Sequence, residues 1–393
     1  MARKILVFTP YFLPGFKGGG PIKSIKNMVD NLEDEFEFWI VTSDRDFGDE
    51  EPYLNVEVNK WNIIGKSKVF YAEPAQLSMF KLTKLLKNTP YDVLYLNSFF
   101  NIDFSIKVLI AAHFASLRNI RAIILAPRGE FSSGALQIKA IKKYLFISMA
   151  KFFCFHRNVF WQATSALEKE DIIHNIGVRE SLICEAKNLP SIGNINTKFS
   201  NTSMFCNEKI KVIFLSRISP KKNLDYALRI LKKVNIPVYF DIYGPKEDIG
   251  YWSKCQNLID MLPNNIKVDY LGLVEPEQVS GVFTEYDLFF FPTHGENYGH
   301  VIAESLLVGT PVLISDQTPW RNLSERELGW DIPLIDEVLF VQTIEKLYDL
   351  PVCDRIQAKE NRMEHAYKLI LKEEDVLATR KMFLTLINSN NNK

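Results

Sequence analysis

A chain of 393 residues is too long for one ordinary hydrophobic core, so we expect two domains of about 190 residues each. The 47 Lys and Arg residues equal the 47 Asp and Glu residues in number, which argues against nucleic acid as the main partner. The five cysteines are scattered, which argues against a disulfide framework or a zinc site and fits a reducing cytoplasm. The first residues lack a signal-peptide pattern, so we expect a cytoplasmic protein. No apolar run comes near about 18 residues, so we expect no membrane span.

The first predicted strand, at residues 4–9, leads into a loop that ends in three glycines. Gly18, Gly19 and Gly20 stand directly before Pro21, a residue that suits the first position of a helix. Glycines at this place let the backbone approach an anion at the start of a helix. A flexible loop fits the same three residues, and the spacing is not the G-x-G-x-x-G pattern of dinucleotide enzymes, which argues against a dehydrogenase.

Strands and helices alternate through the first half, as in a doubly wound α/β sheet. The predicted elements are a helix at 22–32 and strands at 36–42, 56–58, 68–71, 93–96 and 122–125. Asp44 and Asp46 form an acidic pair with a spacing that can hold a divalent metal, but they lie in a turn that is rich in other acids. We therefore expect a solvated loop there.

A second candidate site follows the strand at 122–125. Arg128 and Glu130 lie just beyond its carboxyl end, where open α/β sheets place their ligands. The two residues are candidates for acceptor binding. A local Arg–Glu ion pair that shapes the loop is an equal alternative.

A basic and aromatic stretch occupies residues 138–160, where lysines alternate with leucine and phenylalanine. The wider region 60–157 holds 15 Lys and Arg against 4 Asp and Glu. This composition is typical of a helix that docks on an anionic membrane surface, where each basic residue contributes about 1 kcal/mol. A core helix with a solvated basic face fits the same pattern.

The second half opens with a predicted strand at 211–215 and a turn that contains Arg217 and Lys222. Two cations around a strand-to-helix turn can converge on one anion, which a departing nucleoside diphosphate requires when no metal is present. Exposed lysines near helix starts are common, so this pair alone does not indicate a diphosphate site. It does so only together with the acids further along the chain.

The stretch 287–314 is predicted as a strand, a loop, a helix and a strand, which is one βαβ unit. Glu296 lies in its loop, and Glu304 lies two turns into a helix of mostly apolar residues. A buried carboxylate needs a cation or hydrogen-bond donors, and the hydroxyls of a ribose are such donors. The amides at the start of the helix would bind phosphate oxygens. They belong to Asn297, Tyr298, Gly299, His300 and Val301.

These motifs together resemble glycosyltransferase family 4, the retaining sugar-nucleotide enzymes of the GT-B fold. The segment E-N-Y-G-H-V-I-A-E matches the family's pair of acids, and R-I-S-P-K-K-N is similar to its pair of cations. The resemblance implies that Arg217 and Lys222 contact the donor diphosphate. It also implies that Glu296 holds the transferred sugar and that Glu304 holds the ribose. The glycines that it places in the donor site are Gly19, Gly20 and Gly244.

The resemblance also implies two Rossmann-like domains that face each other across a cleft. The acceptor-binding domain would span residues 1–190 and the donor-binding domain residues 209–372, with a linker at 191–208. A terminal helix at 373–387 would pack back on the first domain, and residues 388–393 would form a disordered tail.

The implied reaction needs no cofactor and no metal. It moves a hexose or N-acetylhexosamine, with retention of configuration, from a nucleotide sugar to a hydroxyl of a glycan, with UDP-sugars favoured over GDP-sugars. The acceptor is expected to be an oligosaccharide or a polyprenyl-linked glycan in bacterial O-antigen or capsule synthesis, and docking on the inner face of the plasma membrane is a hypothesis. Many family members carry an active-site histidine in the loop of Arg128, and its absence here leaves that role open. A GT-B nucleotide-sugar epimerase and an inactive nucleotide-sugar-binding protein are the alternatives.

Overall fold

The computed structural model describes residues 3–115, 122–137, 140–152, 159–191 and 209–391. The chain folds into two units, Met1–Ile192 with Glu373–Lys393 and Gly193–Lys372. Most of the predicted linker at 191–208 and part of the basic stretch at 138–160 lie outside the described residues. Each unit has its own sheet and its own hydrophobic core.

Fourteen strands are present in the described part of the chain. They are β1 Arg3–Phe8, β2 Phe36–Ser43, β3 Trp61–Ile64, β4 Ser67–Ala72, β5 Val93–Leu96, β6 Ala122–Leu125, β7 Val159–Ala163, β8 Ile183–Glu185, β9 Ile210–Leu215, β10 Val238–Tyr243, β11 Ile266–Gly272, β12 Leu288–Phe291, β13 Val312–Ser315 and β14 Gly329–Ile332. The first unit orders its strands β3-β4-β2-β1-β5-β6-β7-β8, and the second orders its strands β11-β10-β9-β12-β13-β14. This confirms the predicted α/β class with two mostly parallel sheets.

Helices alternate with these strands along the chain. The described α-helices are α1 Gly20–Leu32, α2 Met79–Asn88, α3 Lys107–Ala115, α4 Ser133–Gln137, α5 Ala140–Phe152, α6 Ala166–Ile176, α7 Leu224–Leu231, α8 Ile249–Ile259, α9 Val279–Thr284, α10 His300–Leu307, α11 Glu337–Asp349, α12 Val352–Ile370 and α13 Glu373–Asn391. None of the helices in the described ranges combines the length and the apolar character that a bilayer crossing requires.

Both faces of the first sheet are buried. Along β1, Leu6 and Phe8 join one hydrophobic cluster, whereas Ile5 and Val7 join the cluster on the opposite face. Successive side chains of a strand point to opposite faces, so a strand that is covered on both sides becomes a continuous apolar run. The unbroken apolar sequence of β1 therefore follows from its central place in the sheet.

The terminal helix α13 belongs to the first unit. The ring of Phe383 packs against Phe36 at a centroid distance of 5.4 Å, and Arg380 Nε lies 2.7 Å from Glu35 Oε2. The helix continues to Asn391, so residues 388–391, which we expected in a disordered tail, are helical.

The predicted strand at 56–58 is wrong. The strand of this region is β3, which forms an antiparallel hairpin with β4 around Gly65, where φ is +57°. Asn62 explains the difference, because its side chain accepts a hydrogen bond from Glu57 N at 2.8 Å and donates one to Glu57 O at 2.9 Å. A side chain that binds backbone groups in this way offers the chain a turn in place of a sheet ladder.

Candidate functional site

The candidate site begins at β12, which lies inside the second sheet with all four residues buried. The loop after it leads to α10, and β13 then returns parallel to β12, so the predicted βαβ unit is confirmed. The helix starts at His300, directly after Gly299, which adopts a left-handed conformation with φ +79°. A Cβ at position 299 would lie 2.8 Å from Ile302 Cδ1, so the first turn of α10 packs closely against a residue without a side chain.

Lys222 and Glu296 form a buried ion pair beyond the end of β12. Lys222 Nζ lies 2.5 Å from Glu296 Oε1, and the two side chains are 11% and 13% exposed. Thr293 Oγ1 donates a hydrogen bond to the same carboxylate oxygen at 3.1 Å. Burial raises the pKa of Glu296, but the charges of Lys222 and Lys221 and these hydrogen bonds outweigh it, so the pKa lies below its usual value. The carboxylate is therefore ionised at neutral pH.

The loops that carry this pair are joined by hydrogen bonds. Because β9 and β12 are parallel neighbours, the loops at their carboxyl ends meet. Asn223 Nδ2 donates to Pro292 O at 2.8 Å, and His294 N donates to Lys221 O at 2.9 Å. Asn223 also caps α7 in a left-handed conformation, with φ +63°. This role was not predicted from the sequence, although asparagine is a residue type that tolerates such a conformation.

Arg217 does not contact Glu296 in this way. Its Nη1 lies 3.0 Å from Glu247 Oε1, and the two side chains are 33% and 27% exposed. The structure thus gives each of the two predicted diphosphate-binding cations a different acidic partner, Glu296 for Lys222 and Glu247 for Arg217. Glu247 was not among the residues predicted from the sequence, because nothing local signals a contact with a residue thirty positions away.

Gly244 brings the loops after β9 and β10 together. Its φ is +131°, and a Cβ at this position would lie 1.9 Å from Ser216 O. No side chain fits this approach, so the position requires glycine. Ile218 N donates to Pro245 O at 2.8 Å, and Tyr270 Oη donates to Gly244 O at 2.9 Å. These contacts set the backbone next to Arg217.

Glu304 lies in the second turn of α10 and is half-buried, between the fully buried residues Ile302 and Leu306. An aromatic cluster stands at the amino end of the same helix. The ring of Tyr298 lies 4.8 Å from that of His300 and 5.6 Å from that of Trp320. Gly299, the residue that caps α10, has no side chain to bind the helix amides, and Val301 is half-buried in the first turn. The positive end of the helix dipole lies at this end of α10 and would favour a negative charge nearby.

The predicted solvated loop at Asp44 and Asp46 is wrong, because these residues are 2% and 4% exposed. Asp46 Oδ2 accepts hydrogen bonds from Phe16 N at 2.8 Å and Lys17 N at 3.0 Å. The amides of a tight loop need acceptors, and a buried carboxylate provides them. Asp46 thus fixes the start of the glycine loop.

The glycine loop itself ends where the sequence predicts. Gly19, with φ +69°, is the residue before α1, and Gly20 and Pro21 begin that helix. The N-cap residue Gly19 has no side chain with which to cap the amino end of α1. This end and its glycines have the backbone arrangement that we expect of an anion contact.

Arg128 and Glu130 do not form the ion pair that was the alternative interpretation of their loop. Arg128 Nε donates to Asn97 Oδ1 at 2.7 Å, its Nη2 donates to Tyr95 Oη at 2.7 Å, and its Nη1 donates to Asn188. Its φ of +55° is rare for a residue with a side chain. The guanidinium therefore holds the loop to two neighbouring segments, the carboxyl end of β5 and the segment of Asn188.

Glu130 also binds within the first unit. It accepts hydrogen bonds from Ser98 Oγ at 2.7 Å and from Phe99 N at 2.5 Å. Burial raises its pKa, and the hydrogen bonds only partly offset this. The adjacent Gly129 N donates to Glu168, a buried acid of α6.

The described part of the basic stretch is α5, which exposes an apolar stripe. Ile141, Leu145 and Phe152 are 86%, 62% and 81% exposed and lie on one side of the helix. Lys142 and Lys151 are exposed and flank this stripe on either side. The predicted basic and aromatic surface is thus present on α5, and residues 138, 139 and 153–158 of the stretch lie outside the described residues.

Residues 197–350 match the family of glycosyl transferases group 1. This region contains Arg217, Lys222, Gly244, Glu296 and Glu304, whereas the candidate residues of the first unit lie outside it.

Two curated proteins are similar to parts of the chain. An uncharacterized 41.2 kDa protein in the cps region of Klebsiella pneumoniae is 23% identical over 246 residues, which cover 60% of this chain and 63% of that protein. The GtfA subunit of a UDP-N-acetylglucosamine–peptide N-acetylglucosaminyltransferase of Streptococcus pneumoniae is 24% identical over 159 residues, which cover 39% of this chain and 30% of that protein. The chain thus spans less than two thirds of the length of either relative.

One solved structure shows the fold over nearly the whole length. Anabaena Alr3699/HepE, in complex with UDP and glucose, aligns with a TM-score of 0.66 over 98% of this chain and 100% of that chain, at 16% sequence identity. The two-sheet α/β architecture is therefore that of GT-B glycosyltransferase structures.

Proposed function

We propose that the protein is a retaining glycosyltransferase, which transfers a hexose or N-acetylhexosamine from a nucleotide sugar to a hydroxyl of a glycan acceptor. The observation that carries this proposal is the buried Lys222–Glu296 pair. It stands at the carboxyl ends of two neighbouring parallel strands and is followed directly by the helix that contains Glu304. The match of residues 197–350 to glycosyl transferases group 1 supports it.

The two cations stabilise the leaving nucleoside diphosphate. Lys222 is already held by its contact with Glu296, which lies in the loop that leads to α10. Arg217 pairs with Glu247 near the surface, where such a pair contributes about 0–1 kcal/mol, so its guanidinium can turn toward a diphosphate at small cost. Each well-placed donor to a developing charge lowers a barrier by about 3 kcal/mol. Because these cations supply the charge that a metal supplies elsewhere, the proposed reaction is metal-independent and needs no cofactor.

The two acids orient the donor. Glu296 accepts hydrogen bonds from hydroxyls of the transferred sugar, and Glu304 accepts them from the ribose. In a front-face substitution, the incoming hydroxyl gives its proton to the leaving phosphate while the new glycosidic bond forms on the same face. This route retains the configuration and needs no protein nucleophile. The further donor contacts proposed in the second unit are Gly244, Asn297, Tyr298, Gly299, His300 and Val301.

The first unit contributes two proposed contact regions. Gly19 and Gly20 contact phosphate oxygens, because their loop leads into the uncapped end of α1. Arg128 and Glu130 contact the acceptor through a loop that their own hydrogen bonds make rigid. A loop that is already rigid loses little conformational entropy when it binds a ligand, and this favours affinity.

The donor proposed first is a UDP-sugar. Anabaena HepE was solved with UDP and glucose, and the Streptococcus pneumoniae relative is named for UDP-N-acetylglucosamine. The Klebsiella pneumoniae relative lies in a cps region, which supports a place in capsule or O-antigen synthesis. The acceptor would be an oligosaccharide or a glycan on a polyprenyl carrier, handled at the inner face of the plasma membrane.

Helix α5 would dock the protein on that surface. Its exposed stripe of Ile141, Leu145 and Phe152 would enter the interface, and Lys142 and Lys151 would attract anionic lipids. Sedimentation with vesicles of anionic or neutral lipid tests this. Binding should favour anionic vesicles and fall in Leu145→Gln/Phe152→Gln, with Phe80→Gln on the exposed surface of α2 as the matched control. Equal binding to neutral vesicles would remove the electrostatic part of the proposal.

Transfer assays test the enzyme itself. The protein should turn over one donor from a panel of UDP- and GDP-sugars with EDTA present, and Lys222→Ala and Glu304→Ala should lose this activity. Lys232→Ala and Glu277→Ala, which change exposed residues of the same unit, should keep it. Silence on every donor, without thermal stabilisation by UDP or GDP, would contradict the proposal.

The same assay separates the two alternatives. An epimerase would release free sugar without an acceptor. An inactive binding protein would be stabilised by a nucleotide but would turn over no donor.

A further inference from the structure

The strand β11 forms one edge of the second sheet. It is paired with β10, and no described strand lies on its other side. The backbone N–H and C=O groups on the outer side of an edge strand can pair with another chain. With seven residues, β11 is the longest of the four edge strands in the two described sheets, since β3 and β14 have four residues each and β8 has three.

Alternate residues of β11 direct their backbone groups toward β10. Val238 N donates to Asn265 O at 2.9 Å, and the register partner of Val238 is Ile266. In a parallel pair, the N–H and C=O groups of one residue face the same side of the strand, and those of the next residue face the opposite side. The residues of β11 whose backbone groups face the outer edge are therefore Ile266, Val268 and Tyr270.

Lys267 and Asp269 are the two charged residues of β11, and both are exposed on one face of the strand. The side chains of Val268 and Tyr270 point to the other face and pack against the hydrophobic core. Lys267 Nζ donates a hydrogen bond to Tyr239 Oη of β10 at 3.2 Å, so its ammonium group stays over the exposed face. One positive and one negative charge thus stand two residues apart on the exposed face of this edge.

This order of charges is self-complementary in an antiparallel pair of two copies. If Val268 lies opposite Val268 of a second copy, Lys267 of each strand lies opposite Asp269 of the other strand, on the same face. Val268 then forms a hydrogen-bonded pair, because its backbone groups face the outer edge in both copies. Opposite charges directly across a strand pair stabilise it, and like charges destabilise it. The register in which the charges match is therefore one that the backbone directions allow.

The neighbouring strand adds a reason for a cation at this edge. Asp241 of β10 is the register partner of Asp269, so two carboxylates lie directly opposite each other. Burial and the charge of Asp269 raise the pKa of Asp241, and the hydrogen bond from Tyr286 Oη, at 2.7 Å, opposes this rise. Like charges at opposite positions are unfavourable, and a lysine of a second copy beside Asp269 would offset them.

We propose that the protein forms a weak symmetric dimer through its β11 strands, which pair antiparallel with Val268 on the twofold axis. Lys267 of each copy pairs with Asp269 of the other, and the two sheets join into one continuous sheet. A single strand pair is a small interface, so the dimer belongs to the weak or transient class and forms at high protein concentration. The pairing occupies the β11 edge of both copies, and assembly through it stops at two.

Protection of the edge against association is the competing explanation for its charges. Natural sheets place charged residues, lysine above all, on exposed edges to prevent pairing with other chains. Charges of one sign would repel a second copy. The opposite signs of Lys267 and Asp269 remove this repulsion in the register described above, which favours pairing over protection. If the charges do protect the edge, the protein does not dimerise through it at any concentration.

Sedimentation velocity of the full chain over a concentration series separates the two explanations. Wild type should shift from monomer to dimer as its concentration rises. Lys267→Asp and Asp269→Lys should each weaken dimerisation about tenfold or more, because each change turns two attractive pairs into two repulsive ones. Lys232→Asp and Asp260→Lys make the same changes at exposed positions of the same unit away from β11, and these matched controls should dimerise as wild type does.

An equimolar mixture of the two reversed variants is the decisive arm. Lys267→Asp repels a copy of itself and so does Asp269→Lys, but one strand of each again brings opposite charges together. The mixture should therefore dimerise about as wild type does. The double variant Lys267→Asp/Asp269→Lys should also dimerise, for the same reason. Because both arms depend on recovery of the dimer, a variant that fails to fold cannot imitate the expected result.

The proposal is overturned if wild type stays monomeric up to its highest soluble concentration. In that case the edge is either protected or pairs with a different protein. It is also overturned if wild type dimerises and neither single reversal weakens the dimer, or if the mixture stays as monomeric as its components. Growth of wild type beyond two copies would contradict the closed pair as well.

Carbodiimide coupling of the wild type tests the register without any variant. The reagent joins the amine of a lysine to a neighbouring carboxylate as an amide and takes up the water that is lost. In an equimolar mixture of isotopically light and heavy protein, mass spectrometry should find Lys267 of one label joined to Asp269 of the other. Cross-links between the two labels that join only other residues, or none at all, would count against the interface.

Discussion

Replacing Lys222 with methionine should destabilise the protein far more than the same change at Arg217. Lys222 is 11% exposed and contacts Glu296, so its loss leaves a buried carboxylate without this cation. Removing one partner of a buried pair costs about 3–5 kcal/mol. Arg217 and Glu247 are 33% and 27% exposed, so breaking their pair should cost less than about 1 kcal/mol.

Urea unfolding at pH 7, followed by far-ultraviolet circular dichroism, measures both costs. The double variant Lys222→Met/Glu296→Gln removes the charge that the single change leaves behind, and should recover much of the lost stability. Lowering the pH to about 5 should also reduce the cost of Lys222→Met. Without the cation, burial raises the pKa of Glu296, and protonation then removes the buried charge.

If Lys222→Met costs no more free energy of unfolding than Arg217→Met, the contact with Glu296 is not a buried ion pair in solution. If the double variant is as unstable as Lys222→Met, the loss comes from packing of the lysine stem and not from the carboxylate left behind.

Gly244→Ala should lower the urea midpoint strongly, because its Cβ would lie 1.9 Å from Ser216 O. Gly272→Ala is the matched control for backbone strain alone, because this residue has φ +79° and an added Cβ would meet no atom within 4 Å. Glu296→Gln should flatten the acid side of the stability curve between pH 6 and 3. The lowered pKa of Glu296 gives wild type a contribution that is present above the unfolded value of about 4.3 and is lost as the pH falls through the folded value. Glu130→Gln should remove a loss of stability that wild type shows with rising pH. Burial raises the pKa of Glu130, so wild type loses stability as the pH rises from the unfolded value of about 4.3 through the raised folded value. If the urea midpoint of either variant changes with pH as steeply as that of wild type, the pH dependence does not come from the residue that was replaced.

The features that sequence reasoning found are those with a local signature. The strand at 288–291 is a run of four apolar residues, and the glycine at 299 precedes a helix of apolar character, so the βαβ unit could be predicted. Arg217 and Lys222 flank a strand-to-helix turn, which is visible within eight residues. The role that we proposed for these residues was inferred from their spacing along the chain, which can be read directly from the sequence.

The features that it missed are contacts between distant side chains and backbone groups. Asp46 binds the amides of Phe16 and Lys17, about thirty residues away, and no local pattern distinguishes it from a solvated acid. Asn62 turns the chain at Glu57 through its own side-chain amide, in the region where we expected the strand at 56–58. In both cases a polar side chain satisfies backbone groups that would otherwise be left without partners.

The same kind of contact organises the candidate site before any ligand arrives. Asn223 binds the carbonyl of Pro292, and the carbonyl of Lys221 accepts from His294, so the two loops are fixed to each other by neutral groups. Lys222 then needs no ordering on binding, and its desolvation is already offset by Glu296. In the proposed reaction, binding energy that is not needed for ordering would remain for the transition state, in which the leaving diphosphate would gain charge. In the proposed reaction, the ion pair and the hydrogen bonds around it would hold this cation where the bond to the leaving group breaks.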